Sequence, residues 1–196
     1  MDSPKNLRDT LIRFLSVLPA VQSVTPYGSF ATGQSDEYSD IDLALDVSGC
    51  DNGEFLLTLP QLLKKQYPVL YTDFAPSLAP DKYILTAALF PEYPFLLADI
   101  SVTAEPHYAT VTKEMLASRN AQYSHTLKLF TANLKHYLRG TDCGNDIRKM
   151  YGRLPLPETD RLSEMLSGTH QWLLENSTSE LHQYTEQFRP FLNRIP

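Results

Sequence analysis

Residues 27–43 hold two groups whose types and spacing could do chemistry together. Asp40 and Asp42 stand two apart in Asp40-Ile41-Asp42-Leu43, at the mouth of the run Ile41 to Val47, which turn residues bound and which reads as a strand. Alternate side chains of a strand share a face, so the two carboxylates project to one side, about 7 Å apart along the chain. Like charges so placed repel each other and resist desolvation. A hard divalent cation, which takes oxygen ligands, removes that cost. Upstream, Gly28-Ser29 directly follows the strand-like run Val21 to Tyr27. A glycine there lets backbone amides approach an anion, and a helix opening near Ser29 would aim its positive end at the same anion. The serine hydroxyl can add one hydrogen bond to phosphate. A carboxylate pair suited to a divalent cation thus stands near a turn suited to a phosphate.

The elements that must position these groups are legible around them. Leu7, Leu11, Leu15 and Leu18, with Phe14, form a helical stripe that Pro19 closes. Phe55, Leu56, Leu59, Leu62 and Leu63 form another over Gly53 to Gln66, with Pro60 as a flaw inside it. Val69–Phe74, Tyr83–Phe90 and Phe95–Val102 read as strands, the last two joined by the hairpin-like Pro91-Glu92-Tyr93-Pro94. This order predicts an α/β (α+β) domain on a mixed sheet. After Pro106 the texture becomes helical. Tyr123, Leu127, Phe130, Leu134, Tyr137 and Leu138 share one face; Leu162, Met165, Leu166, Trp172 and Leu173 a second; Leu181, Tyr184, Phe188 and Leu192 a third. The expected organisation is a sheet domain over residues 1–104 and a C-terminal helical bundle over residues 105–196.

Composition narrows the function. With 42% hydrophobic and 20% charged residues among 196, the chain can bury a core. No apolar run reaches the length of a membrane span, and no secretory signal opens the sequence. Cys50 and Cys143 lack metal-ligand or disulfide spacing, which fits a reducing cytoplasm. The net charge of −6 is uneven: residues 1–104 carry 13 acids against 6 Lys/Arg, and residues 105–196 carry 10 against 11. An acidic front half repels a polyanion unless cations mediate, which disfavours a nucleic-acid-coating role.

Gly28-Ser29, ten residues, then Asp40-Ile41-Asp42-Leu43, with Ala31, Gly33 and Ser39 between, resembles the core motif of the DNA polymerase β-like nucleotidyltransferases, and of their small bacterial, antibiotic adenylyltransferase-like members in particular. The likeness covers roughly residues 5–103. Thr32 departs from the pattern, since many small members carry arginine there, and leaves this loop without a cation. The resemblance implies two Mg²⁺ ions, held by Asp40, Asp42 and a third carboxylate on a neighbouring strand, and a nucleoside triphosphate, ATP expected, bound through Gly28, Ser29 and Ser39. Asp99, a charge embedded in the apolar run Phe95 to Val102, is the expected third carboxylate, with Asp73 its competitor; such a charge needs a partner. Asp46 has the same parity as Asp42 and reads as a solvated strand-end residue.

Lys128 and Lys135, two turns apart on the polar side of the first C-terminal helix, could meet the triphosphate, or simply form a solvated face. The expected activity is transfer of a nucleoside monophosphate, AMP first, to a hydroxyl of a small molecule, for which an antibiotic is a candidate. A protein or RNA acceptor, as in toxin–antitoxin-type adenylylation, and a catalytically inactive nucleotide-binding module are the alternatives. Neither the acceptor nor the oligomeric state is written in the sequence.

Overall fold

The computed structural model describes residues 2–107 and 110–195, in two compact units, Met1–Asn120 and Ala121–Pro196. In the first unit, helix α1 (Pro4–Ser16), capped by Ser3, leads into strand β1 (Ser23–Tyr27), the single helical turn α2 (Gly28–Thr32) and β2 (Ile41–Asp46). Helix α3 (Asn52–Leu63) follows. Its N-terminus is closed by the Asp51 carboxylate, which accepts from the backbone N–H groups of Gly53 and Glu54 at 2.9 Å. Then come β3 (Tyr71–Phe74), β4 (Tyr83–Ala88), β5 (Ala98–Thr103) and the short helix α4 (Lys113–Ala117).

The strands form one mixed sheet in the order β1-β2-β5-β4-β3. Only β2 and β5 run parallel; the other neighbours are antiparallel. The period-2 pattern decides which face is the core. Ile41, Leu43 and Leu45 of β2 and Ala98, Ile100 and Val102 of β5 are buried against Leu11 and Leu15 of α1 and Leu56, Leu59 and Leu63 of α3. Asp42, Ala44 and Asp46 alternate with them and project from the opposite face, as do Asp99 and Ser101.

The unit boundary, between Asn120 and Ala121, lies beyond the 104/105 position expected from texture. Residues 110–120 look like loop and short helix, but they are bonded into the sheet domain. Val111 and Leu116 join its core, and the Tyr83 hydroxyl donates to the Val111 carbonyl at 2.8 Å. The Asn120 side-chain amide clamps the backbone of Phe74 on β3, accepting from its N–H at 2.8 Å and donating to its C=O at 2.9 Å.

The second unit is helical: α5 (Gln122–Leu138), α6 (Gly144–Tyr151), α7 (Leu162–Glu175), α8 (Ser179–Glu186) and α9 (Arg189–Leu192). Phe130, Leu134, Leu166, Leu173, Tyr184 and Phe188 are buried, and Phe130 meets Phe188 edge-on with ring centres 5.3 Å apart. The third apolar face is split between two helices. Pro190 sits in the first turn of α9, where its missing N–H is tolerated. Among the described residues no helix is long and apolar enough to cross a membrane.

Candidate active site

Sheet register brings the acidic groups together. Asp42 of β2 lies directly opposite Asp99 of β5, and on its other side directly opposite Tyr27 of β1. Asp99 in turn faces Thr86 of β4, and Thr86 faces Asp73 of β3. One transverse row, Tyr27–Asp42–Asp99–Thr86–Asp73, therefore runs across all five strands, and directly opposed residues share a face. Asp73, fully buried, stands two strands beyond Asp99, about 10 Å away at ordinary strand spacing. Of the two competing residues, Asp99 is the one beside Asp42.

Asp40 precedes β2 by one residue and shares the parity of Asp42. The main chain there is already tied to the sheet, for Ile41 N–H donates to the Leu97 carbonyl at 2.8 Å. The loop before it is pinned by its own polar groups. The Ser39 hydroxyl donates to the Asp36 carboxylate at 2.8 Å and accepts from the Asp36 N–H at 2.9 Å, while Tyr38 N–H donates to the same carboxylate. Tyr38 also packs edge-on against Phe95, which precedes β5. Ser39, expected to touch nucleotide, is 5% exposed with its hydroxyl engaged in this way. Its place is in fixing the approach to Asp40.

The Gly28-Ser29 turn lies against the acidic row. Gly28 has φ +68°, and a Cβ built there would fall 2.1 Å from Asp42 Oδ2. Both the left-handed conformation and the close approach require glycine. α2 opens here without a side-chain cap, so its first N–H groups carry none of the usual Ser, Thr or Asp blockade. From below, Arg8 of α1 donates to the Phe30 carbonyl at 2.9 Å while paired with Asp9 at 2.6 Å. Thr32 turns its hydroxyl back to the Gly28 and Ser29 carbonyls. Ser29 is half-buried.

Electrostatics mark the same spot. Burial, then the charges of Asp42 and Asp99, push the Tyr27 phenol above its ordinary value. It stays neutral beside the carboxylates, 40% exposed at the sheet margin. Sequence reasoning missed Tyr27, because its relevance comes only from being opposite Asp42. The Thr86 hydroxyl, also missed, donates to Asp99 Oδ1.

Among the described residues no three His, Cys, Asp or Glu side chains are arranged to close on a metal ion. The pair that stands side by side is Asp42 and Asp99. Its chemistry fits a hard divalent cation: the donors are all carboxylate oxygens, and two like charges in adjacent register positions are relieved by a cation between them. Lys128 and Lys135 lie on α5 of the second unit, the first half-buried and the second 5% exposed, so Lys135 does not belong to a solvated face.

Residues 7–76 match the family model described as nucleotidyltransferase domain. That stretch is thus similar to the nucleotidyltransferase domain, and it holds the motif on which the sequence resemblance rests. The matched segment runs from α1 through β3 and includes Gly28, Ser29, Asp40 and Asp42; Asp99 lies beyond it. No curated protein sequence matches the chain. Among solved structures, the chain is similar to one titled as the GLD-2/RNP-8 complex (16% identity, 91% of this chain and 80% of that one, TM-score 0.43). It is also similar to the GLD-2–GLD-3 non-canonical poly(A) polymerase complex (16% identity, 88% and 71%, TM-score 0.40). A third similar structure is the polymerase core of TRAMP, an RNA surveillance complex (13% identity, 95% and 56%, TM-score 0.39).

Proposed function

We propose that this chain is a nucleotidyltransferase that moves a nucleoside monophosphate, AMP first, from a nucleoside triphosphate to a hydroxyl acceptor, with divalent cations, two Mg²⁺, at the acidic row. The observation that carries the reading is the direct opposition of Asp42 and Asp99, with the Gly28 turn packed on the Asp42 carboxylate. Asp42 and Asp99, with Asp40 next along the same face, would hold the cations. Bound there, the metal supplies charge neutralisation for the triphosphate and a lowered pKa for the attacking hydroxyl.

The chain's own groups supply position. The backbone N–H groups at the start of α2 and the Ser29 hydroxyl receive phosphate oxygens, as the uncapped turn permits. Asp99 is the group suited to accept the acceptor hydroxyl's proton as the new O–P bond forms and pyrophosphate leaves. Little covalent chemistry falls to the protein, so orientation and electrostatics carry the rate. Arg8 and Thr32 are engaged with the backbone of α2, consistent with phosphate charge being met by metal.

For the acceptor we favour a cationic small molecule, an aminoglycoside-like antibiotic being the type. The unit Met1–Asn120 holds 15 acids against 8 Lys/Arg, a field that draws cations and repels polyanions. Both cysteines, Cys50 exposed and Cys143 buried, are free thiols, which supports a reducing cytoplasm as the place of action. The test is Mg²⁺-dependent turnover of labelled ATP against aminoglycosides, lincosamides, RNA 3′ ends and candidate protein partners. Label on an antibiotic supports the reading; label on RNA or protein moves the acceptor class; no turnover with any acceptor, together with no Mg²⁺-dependent nucleotide binding, sinks the activity.

A further inference from the structure

We infer that Thr86 is a positioning residue that sets how the Asp99 carboxylate faces Asp42 and any divalent cation the pair holds. The inference rests on the function proposed above. β5 lies between β2 and β4, and Asp42, Asp99 and Thr86 occupy successive places in one row. The Thr86 hydroxyl donates its single hydrogen to Asp99 Oδ1, from the β4 side. An oxygen held toward β4 leaves Oδ2 on the side of β2, where Asp42 stands.

Left alone, the terminal torsion of an aspartate is broad and two-fold, and two neighbouring carboxylates turn away from each other. The bond from Thr86 removes that freedom. Thr86 is suited to the task because it is itself fixed. It is 2% exposed, so water does not compete for the hydroxyl, and its branched Cβ restricts χ1. Its neighbours on β4, Tyr83, Leu85, Ala87 and Ala88, are all buried and carry no carboxylate or hydroxyl beside Asp99. Valine would fill the same volume without the cost of burying a hydroxyl; what threonine adds at this position is the hydrogen bond.

The experiment compares wild type, Thr86→Val and Thr86→Ser in the full chain by calorimetric titration with Mn²⁺, thermal denaturation and ATP turnover. Outer partners of metal ligands are worth roughly 10–100-fold in affinity or activity. Thr86→Val is therefore expected to weaken Mn²⁺ binding by about that factor and to raise the Mg²⁺ concentration for half-maximal rate to match, with KM for ATP at saturating metal little changed. Thr86→Ser, which keeps the hydroxyl, is expected to restore both. Should Thr86→Val fail to fold, Thr86→Ala removes the same hydroxyl with less steric demand and carries the same comparison. Wild-type Mn²⁺ affinity in the folded hydroxyl-less variant, or a Thr86→Ser variant as weak as Thr86→Val, overturns the positioning role alone. A wild-type protein that neither binds Mn²⁺ nor turns over ATP overturns the parent reading, and this inference with it.

Discussion

Asp42 and Asp46 sit on the same strand, four residues apart and on the same face, and the sheet treats them in opposite ways. At the Asp46 end the row is Ser23–Asp46–Thr103, and no second carboxylate adjoins it. Oδ1 of the Asp46 carboxylate is held by its own turn, accepting from the Ser48 hydroxyl at 2.6 Å and the Ser48 N–H at 2.8 Å. Those bonds hold its pKa below the usual carboxylate range, against a small opposing effect of burial. At the Asp42 end the flanking residues are a tyrosine and another aspartate, and a glycine turn presses on the carboxylate. A structural carboxylate is one whose charge is met within a few residues of chain. Asp42 is set against a like charge from a strand far along the chain, an arrangement that a cation would relieve.

The hardest blow to this contrast comes from neutralising each end in turn. Asp42→Asn or Asp99→Asn is expected to lower nucleotidyl transfer by about 100-fold or more, the scale of a lost electrostatic group at a reacting centre, with Tm unchanged or raised as the like-charge repulsion disappears. Asp46→Asn should leave the rate alone. Equal losses at both ends, in a steady-state ATP assay, would erase the distinction. Next in size is Gly28→Ala. The left-handed backbone costs a Cβ-bearing residue roughly 1–2 kcal/mol, and the Cβ would collide with Asp42 Oδ2, so both Tm and activity should fall together. Gly33→Ala shares the positive φ but meets no neighbour within 4 Å, and should cost stability without the same loss of rate.

Smaller still is Tyr27→Phe. Removing one neutral, partly exposed hydroxyl should cost no more than about ten-fold in kcat/KM, the scale of a typical single hydrogen bond. The smallest effect separates the ends by pH. Because the folded Asp46 pKa is depressed, its contribution to stability is full above the unfolded value and is lost as pH falls through the folded one. Ser48→Ala should weaken that acid dependence in thermal melts between about pH 5 and 2, with the neutral-pH rate unmoved.

Much of this was legible in the chain itself, for identifiable reasons. The alternation of Ile41, Leu43 and Leu45 with Asp42 and Asp46 settles the faces of β2 locally, and the charge inside Phe95–Val102 points to Asp99. What alternation leaves open is register, which depends on which residues of other strands come to stand opposite. Tyr27 and Thr86 acquire their meaning only by standing opposite the aspartates, so nothing local marked them. The segment 110–120 shows the same dependence on distant partners. Its short polar look hides Val111, Leu116 and the Asn120 clamp, contacts made far back along the chain. Lys135 misled in the other direction, since helical spacing put it on the wet side of α5 and the structure buries it.

The Asn120 clamp has one more consequence. β3 is an outermost strand, and a bare outermost strand is a template on which another molecule can lay a strand of its own. By meeting both the N–H and the C=O of Phe74 with one side-chain amide, Asn120 imitates the neighbour that is missing and leaves an incoming strand no matching pair at that position. At the opposite margin Pro26 takes a donor out of β1. Self-association through the rims of the sheet is thus discouraged on both sides, by an amide at one and an imino ring at the other.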